Sequence, residues 1–310
     1  MRSEIKVFLF LIVCLLAGEW GTRWVEPELS KDVEHLEGLE AMAQRLEPRG
    51  KSNVLVLGNS LARCGLDQGL LSEGWRLPSG GAAQVEVLTP DASGIVDWGQ
   101  GFRRYVVETG SRPEVVVVGT GRVHLNDPME VQSERLAAWL VPKDERWAFV
   151  KDQKWGMEEA IPFWLASWSR LFANRERIEP LVFYRLVPGY EETSRLINHE
   201  RGVAMAGRSG GKELGAVTTR HLQRLIDDVA KVGARLVVVT MPVPEVYEMP
   251  REAVEMLKAN GVLLIEGGSK MTMEAGRFPD GYHLDGEGAR RFTTWLTGSL
   301  NASFGDTDRR

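Results

Sequence analysis

The chain has 310 residues, 43% of them hydrophobic and 26% charged, an ordinary globular composition that suits one large α/β domain with insertions. Its formal net charge is -5 and no run of Lys and Arg is dense enough to follow a phosphate backbone, so nucleic acid is not expected as a partner. Cys14 lies in the first apolar segment and Cys64 stands alone in the body; no disulfide is available inside the mature domain, and none is needed at this size.

The chain opens with the charged stretch Met1 to Lys6, followed by the uncharged run Val7 to Gly18 and then by Glu19 to Trp24. That run of 12 residues is shorter than the ~20 that comfortably span a bilayer and falls in the signal-peptide range of roughly 7–15. A small-x-small cleavage site is absent, and Trp20 and Trp24 suit a membrane interface. Residues 1–24 are therefore expected to be a signal peptide or a membrane anchor. The remainder is expected outside the cytoplasm, secreted or anchored. The competing reading is a buried helix of a cytosolic protein.

From Ser30 to Leu46, apolar residues at Val33, Leu36, Leu39, Met42 and Leu46 follow a helical spacing that Pro48-Arg49-Gly50 ends. Residues 25–51 are read as an amphipathic helix and linker. Five short β-rich runs come next: Val54 to Gly58, Val85 to Leu88, Val115 to Gly119, Leu236 to Thr240 and Val262 to Ile265. Most are continuous rather than alternating, as expected of strands covered on both faces. Helical stretches separate them, including Val96 to Thr109, Thr218 to Val232 and Arg251 to Asn260. The pattern predicts an α/β fold over residues 52–300, a doubly wound, flavodoxin-like parallel sheet of about five strands, with 301–310 as a flexible tail.

Between about 128 and 216 the β signal disappears for longer than a crossover requires, which marks a helical insertion. It carries Trp139, Trp147, Trp155, Trp164 and Trp168, and Trp164, Trp168, Leu171 and Phe172 are expected on one helical face that packs the insertion on the sheet or forms a substrate groove. Gly207 to Lys212 imitates a phosphate loop, but its spacing is one residue short and Glu213 stands where Ser or Thr is required; a flexible loop is the better reading.

In sheets of this kind ligands bind beyond the carboxyl ends of the strands. Ser60 follows the first strand there, in Gly58-Asn59-Ser60, and Asp280 with His283 follows the fifth. A serine hydroxyl needs an imidazole to take its proton and a carboxylate to fix the imidazole tautomer, and the order Ser60, Asp280, His283 supplies all three. His35, His199 and His221 are read as solvated or capping residues. No His, Cys and Asp spacing indicates a metal, and no cofactor is expected.

The stretches Val56 to Ser60, Asp91-Ala92-Ser93-Gly94-Ile95, and Asp280-Gly281-Tyr282-His283-Leu284 with the residues after it resemble three sequence blocks of the SGNH hydrolases, the GDSL-type esterases. Asn59 stands where that family commonly has Asp. The resemblance implies Ser60 as nucleophile, His283 as general base and Asp280 as its orienting carboxylate, with the Gly94 N–H in the oxyanion hole. The remaining block departs from the pattern. The family's Gly-x-Asn-Asp falls on Gly121-Arg122-Val123-His124, and Val123 cannot donate a hydrogen bond, so His124 or Asn126 is expected to replace the missing donor.

The resemblance implies a serine esterase or O-acyltransferase, with an ester or acylated glycan as substrate and acetyl esters of an envelope polysaccharide as the favoured class. The alternative is a non-catalytic envelope scaffold or glycan-binding module that keeps the fold, motivated by the missing Asn and the tryptophan-rich insertion.

Overall fold

The computed structural model describes residues 2–46, 53–77, 79–127, 131–197, 200 and 218–305. His199 and the glycine-rich segment from Gly207 to Lys212 lie outside them. The chain divides into two compact units, Met1–Gly38 with Gln132–Ser194, and Leu39–Val131 with Arg195–Arg310.

The second unit holds the sheet. Its strands are β1 (Asn53–Gly58), β2 (Gln84–Leu88), β3 (Val115–Thr120), β4 (Arg235–Thr240) and β5 (Leu263–Ile265), in the order β2-β1-β3-β4-β5. All pairings are parallel. This is the flavodoxin-like doubly wound order predicted from the β-α-β periodicity. Every residue of β1 and β3 is buried, which explains their continuous apolar runs: helices cover both faces. Val54, Val56, Val115, Val117, Val237 and Val239 pack with Trp75, Phe292 and Leu296 in one core cluster. Burial of each such side chain stabilises the fold by roughly 1.5–3 kcal/mol before the entropy of ordering it is subtracted.

Register places the strand ends that matter side by side. Gly58 of β1 pairs with Gly119 of β3, and the helix Ser60–Gly65 turns back across this edge. A Cβ on Gly58 would stand 2.4 Å from the Ala62 Cβ and 3.0 Å from the Gly119 carbonyl oxygen, so only glycine lets the helix return so closely after the strand. The helix Ile95–Phe102 continues through a π-helical stretch, Arg103–Val107, and the helices Arg220–Lys231 and Arg251–Ala259 fall within a few residues of their predicted bounds. The last helix runs from Gly286 to Gly305.

The first unit is helical. Its opening helix extends from Arg2 to Val25, 24 residues, well past Gly18 and about 36 Å long at 1.5 Å per residue. It is long and apolar enough to cross a membrane, and only 6% of its most apolar window is buried. The helix predicted from Ser30 to Leu46 is two helices, Lys31–Glu37 and Leu39–Arg45, with Gly38 between them at the division of the units. The predicted apolar positions Val33 and Leu36 in the first, and Leu39 and Met42 in the second, are all buried.

In the insertion, the helices Arg146–Gln153 and Met157–Trp168 share an aromatic core. Phe149 stacks on Phe163 at 5.7 Å between centroids, and Trp155 meets Phe163 edge-on at 5.6 Å. The single helical face expected to carry Trp164, Trp168, Leu171 and Phe172 does not form. One helix ends at Trp168, and Ser169 caps the next, Arg170–Ala173, by accepting the Phe172 N–H at 3.0 Å. A capping serine is a helix start as readily as an interior residue, and periodicity alone passes over it.

Candidate active site

The site grows from the end of β1. Asn59 has extended backbone and caps the helix Ser60–Gly65: its Oδ1 accepts the Leu61 N–H at 3.0 Å. Its Nδ2 donates to the Ser93 carbonyl at 3.1 Å, which ties the loop after β1 to the loop after β2. An aspartate could make the cap but not this second bond, a local reason for Asn at that position. Ser60 is thereby fixed as the first residue of a helix, where a backbone N–H has no partner within the helix, and its half-buried side chain stands at the carboxyl edge of the sheet.

The Ser60 Oγ lies 2.8 Å from His283 Nε2, and His283 Nδ1 lies 2.7 Å from Asp280 Oδ2. The other carboxylate oxygen of Asp280 accepts the backbone N–H groups of Tyr282 at 2.9 Å and His283 at 2.8 Å. Burial works against the Asp280 charge, but these two N–H groups and the imidazole outweigh it and hold the carboxyl below its ordinary range. With Asp280 ionised, Nδ1 carries the imidazole proton and Nε2 turns its lone pair to the Ser60 hydroxyl. That is the tautomer a proton-accepting histidine needs. Ser60, His283 and Asp280 come together although 223 positions separate the serine from the histidine.

Gly94 is the capping residue of the helix Ile95–Phe102, and its N–H reaches the Asp97 carboxylate at 3.4 Å, at the long edge of hydrogen bonding. Ser93 is a buried junction beside it. Its hydroxyl donates to the Pro90 carbonyl at 2.7 Å and accepts the Trp98 indole N–H at 2.8 Å. The Ile95 N–H donates to the His124 carbonyl at 2.9 Å, joining the loops after β2 and β3.

His124 is half-buried. Its Nδ1 accepts the Gly121 N–H at 3.1 Å, and desolvation lowers its pKa to about 4. The ring is therefore neutral at pH 7 with its proton on Nε2, and that N–H has no hydrogen-bond partner among the described residues. Asn126 is 4% exposed, and among the described residues neither its Oδ1 nor its Nδ2 has a hydrogen-bond partner. A buried amide left so costs about 1–3 kcal/mol per unpaired group, and its side chain makes no bond to Ser60, Asp280 or His283.

His221 is neither solvated nor a cap. It is buried and joined to Asp127 through its Nδ1 and, at 3.1 Å, through its backbone N–H. Nothing in the local pattern links those two positions. Among the described residues no group of three or more His, Cys, Asp or Glu is placed to hold a metal ion.

The fold and the site together define an α/β protein of the doubly wound parallel type, with a Ser–His–Asp constellation at the carboxyl edge of its sheet. No family model matches the chain, and no curated protein matches it. Among solved structures it is similar to one described as "Crystal Structure of TesA", with 13% identity over 79% of this chain and 97% of that chain and a TM-score of 0.33, a likeness too distant to bear on the site.

Proposed function

We propose that this protein is a serine hydrolase or O-acyltransferase of the SGNH type that works through an acyl-serine intermediate. The observation that carries the reading is the continuous path from Ser60 Oγ through His283 to Asp280, with bonds of 2.8 and 2.7 Å. The Ser60 oxygen attacks an ester carbonyl carbon while its proton passes to His283 Nε2, and Asp280 stabilises the imidazolium that results. The carbonyl oxygen, now negative, is met by the His124 Nε2–H and the Ser60 backbone N–H, and by the Gly94 N–H as it exchanges its long 3.4 Å bond to Asp97 for the oxyanion. Collapse breaks the bond to the leaving alcohol, which takes the proton back from His283. Water or a sugar hydroxyl then attacks the acyl-serine by the same route in reverse, giving hydrolysis or transfer.

The same proposal places the catalytic unit outside the cytoplasm on a retained anchor. Lys6 precedes the uncharged run, as expected of a cytoplasmic flank. Retention is supported by Glu19, whose carboxylate caps the helix Arg170–Ala173 by accepting the Arg170 N–H at 2.9 Å and the Leu171 N–H at 3.0 Å; cleavage beyond Glu19 would remove that cap. An anchor and the resemblance to membrane-tethered SGNH proteins that move acetyl groups on envelope polysaccharides favour acetyl esters of a cell-envelope glycan as substrate.

Turnover of short p-nitrophenyl esters and of acetylated glycans by the wild type and by Ser60→Ala tests the reading. Loss of about 10⁴-fold or more with an unchanged fold is expected. Undiminished turnover by pure Ser60→Ala would overturn it.

A further inference from the structure

We propose that the helix Met157–Trp168 lies in the lipid interface beside the amino-terminal helix, so that the insertion is a second, peripheral attachment to the bilayer. This rests on the anchor reading above and adds to it a lipid-binding surface on the helical unit.

The helix presents Met157, Ile161, Leu165 and Trp168 to the outside, with relative exposures of 78%, 48%, 42% and 75%. Their spacing of four, four and three residues sets them along one face. The opposite face buries Phe163 and Ala166. Apart from the exposed first-turn Glu158 and Glu159, the helix is apolar on its packed side and again along this outer stripe, and such an exposed apolar stripe marks contact with lipid or with another protein. The helix Arg175–Leu186 buries none of its residues and exposes Leu181, Val182 and Leu186, adding apolar surface to the same unit.

The occupant is indicated by what holds the stripe in place. Ser169, directly after Trp168, donates from its hydroxyl to Glu19 at 2.8 Å, beside the two backbone bonds from Arg170 and Leu171. Gly18 permits this approach, since a Cβ there would stand 3.2 Å from the Leu171 Cδ2. The end of the stripe is thus fixed at the level of Glu19 and its neighbour Trp20, itself 72% exposed.

Depth follows from length. The uncharged run Val7 to Gly18 covers only about 18 Å, whereas the hydrocarbon core is about 30 Å thick. A bilayer crossed by this helix must reach past both ends of the run or thin around it, and either way the level of Glu19, Trp20 and Trp168 is drawn into the headgroup boundary. Indole rings favour that zone. Glu19 is suited to it because Ser169, Arg170, Leu171 and Arg23 all donate to its carboxylate.

The test uses the full-length chain with Cys14→Ser and Cys64→Ser, reconstituted into phosphatidylcholine vesicles with or without 5-doxyl-phosphatidylcholine. A single cysteine bearing an environment-sensitive fluorophore is placed in turn at Leu11, Ile161, Leu165 and Arg251. Blue-shifted emission quenched by the doxyl lipid is expected at Leu11, Ile161 and Leu165, and water-like, unquenched emission at Arg251. Water-like emission at Ile161 and Leu165 with quenching at Leu11 would overturn the inference and leave the anchor standing. Blue-shifted but unquenched emission at both insertion sites would also overturn it, because a protein surface would then cover the stripe. Quenching at the insertion sites alone would keep the lipid contact and remove the spanning helix, and no quenching at any site would end both.

Discussion

Asp127 grips His221 from two sides, one carboxylate oxygen on the imidazole Nδ1 and the other accepting the His221 backbone N–H at 3.1 Å. The two residues lie 94 positions apart, one at each end of the long excursion that contains the insertion. Asp127 and Thr218 also exchange backbone bonds of 2.9 and 3.1 Å. Closing a loop of that length costs on the order of 4 kcal/mol of chain entropy, and this pair of contacts helps to offset it on the unit that holds the sheet.

His221→Ala therefore leaves a buried carboxylate without its imidazole partner, and unfolding by urea should show a loss of about 1–3 kcal/mol. Burial raises the Asp127 pKa but the His221 imidazole and N–H outweigh it, so the net shift is downward from 3.8. The stabilisation is complete above pH 3.8 and is lost as pH falls through the lower folded-state pKa. In Asp127→Asn that acid-side decline should be reduced.

His124 acts on a different pH window. Its folded pKa of about 4 lies below its ordinary 6.5, so the unfolded chain binds the extra proton first, and stability should fall as pH is lowered from about 6.5 towards 4. Thermal melts of wild type and His124→Gln across that interval measure it. The variant should lose this part of the decline; an identical decline in both would show that His124 ionises freely in the folded protein.

The oxyanion assignment separates two neighbours. His124→Ala should lower kcat on the order of 10²–10³-fold, the loss expected for one such donor, while Asn126→Ala should be nearly silent in turnover. Because the Asn126 amide is buried without partners among the described residues, Asn126→Leu is expected to be neutral or stabilising in melting temperature. If instead Asn126→Ala carries the kinetic loss, Asn126 is the donor.

The sheet was readable because parallel strands covered on both faces leave continuous Val and Leu runs, as β3 does from Val115 to Val118, and the amphipathic helix Arg220–Lys231 gave its period equally clearly. The triad was readable because its members sit in short local motifs at strand ends: Asp280 and His283 are three residues apart, and Ser60 directly follows its capping Asn59. What stayed hidden depends on contacts between distant segments. No spacing rule joins Asp127 to His221, or the Asn59 amide to the Ser93 carbonyl. The amino-terminal helix, Arg2–Val25, nearly matches the segment 1–24 read from the sequence, but nothing local shows that its Glu19 accepts hydrogen bonds from Ser169, Arg170 and Leu171.

The central claim, an activated Ser60, is tested most directly by covalent labelling with a fluorophosphonate followed by mass mapping of the adduct. A serine whose proton is taken by a neighbouring imidazole reacts with this probe, and an ordinary surface serine does not. The account predicts a single adduct on Ser60, absent in Ser60→Ala and slowed by several powers of ten in His283→Ala. An unlabelled wild type, or labelling of Ser60 at the same rate after His283→Ala, would contradict it.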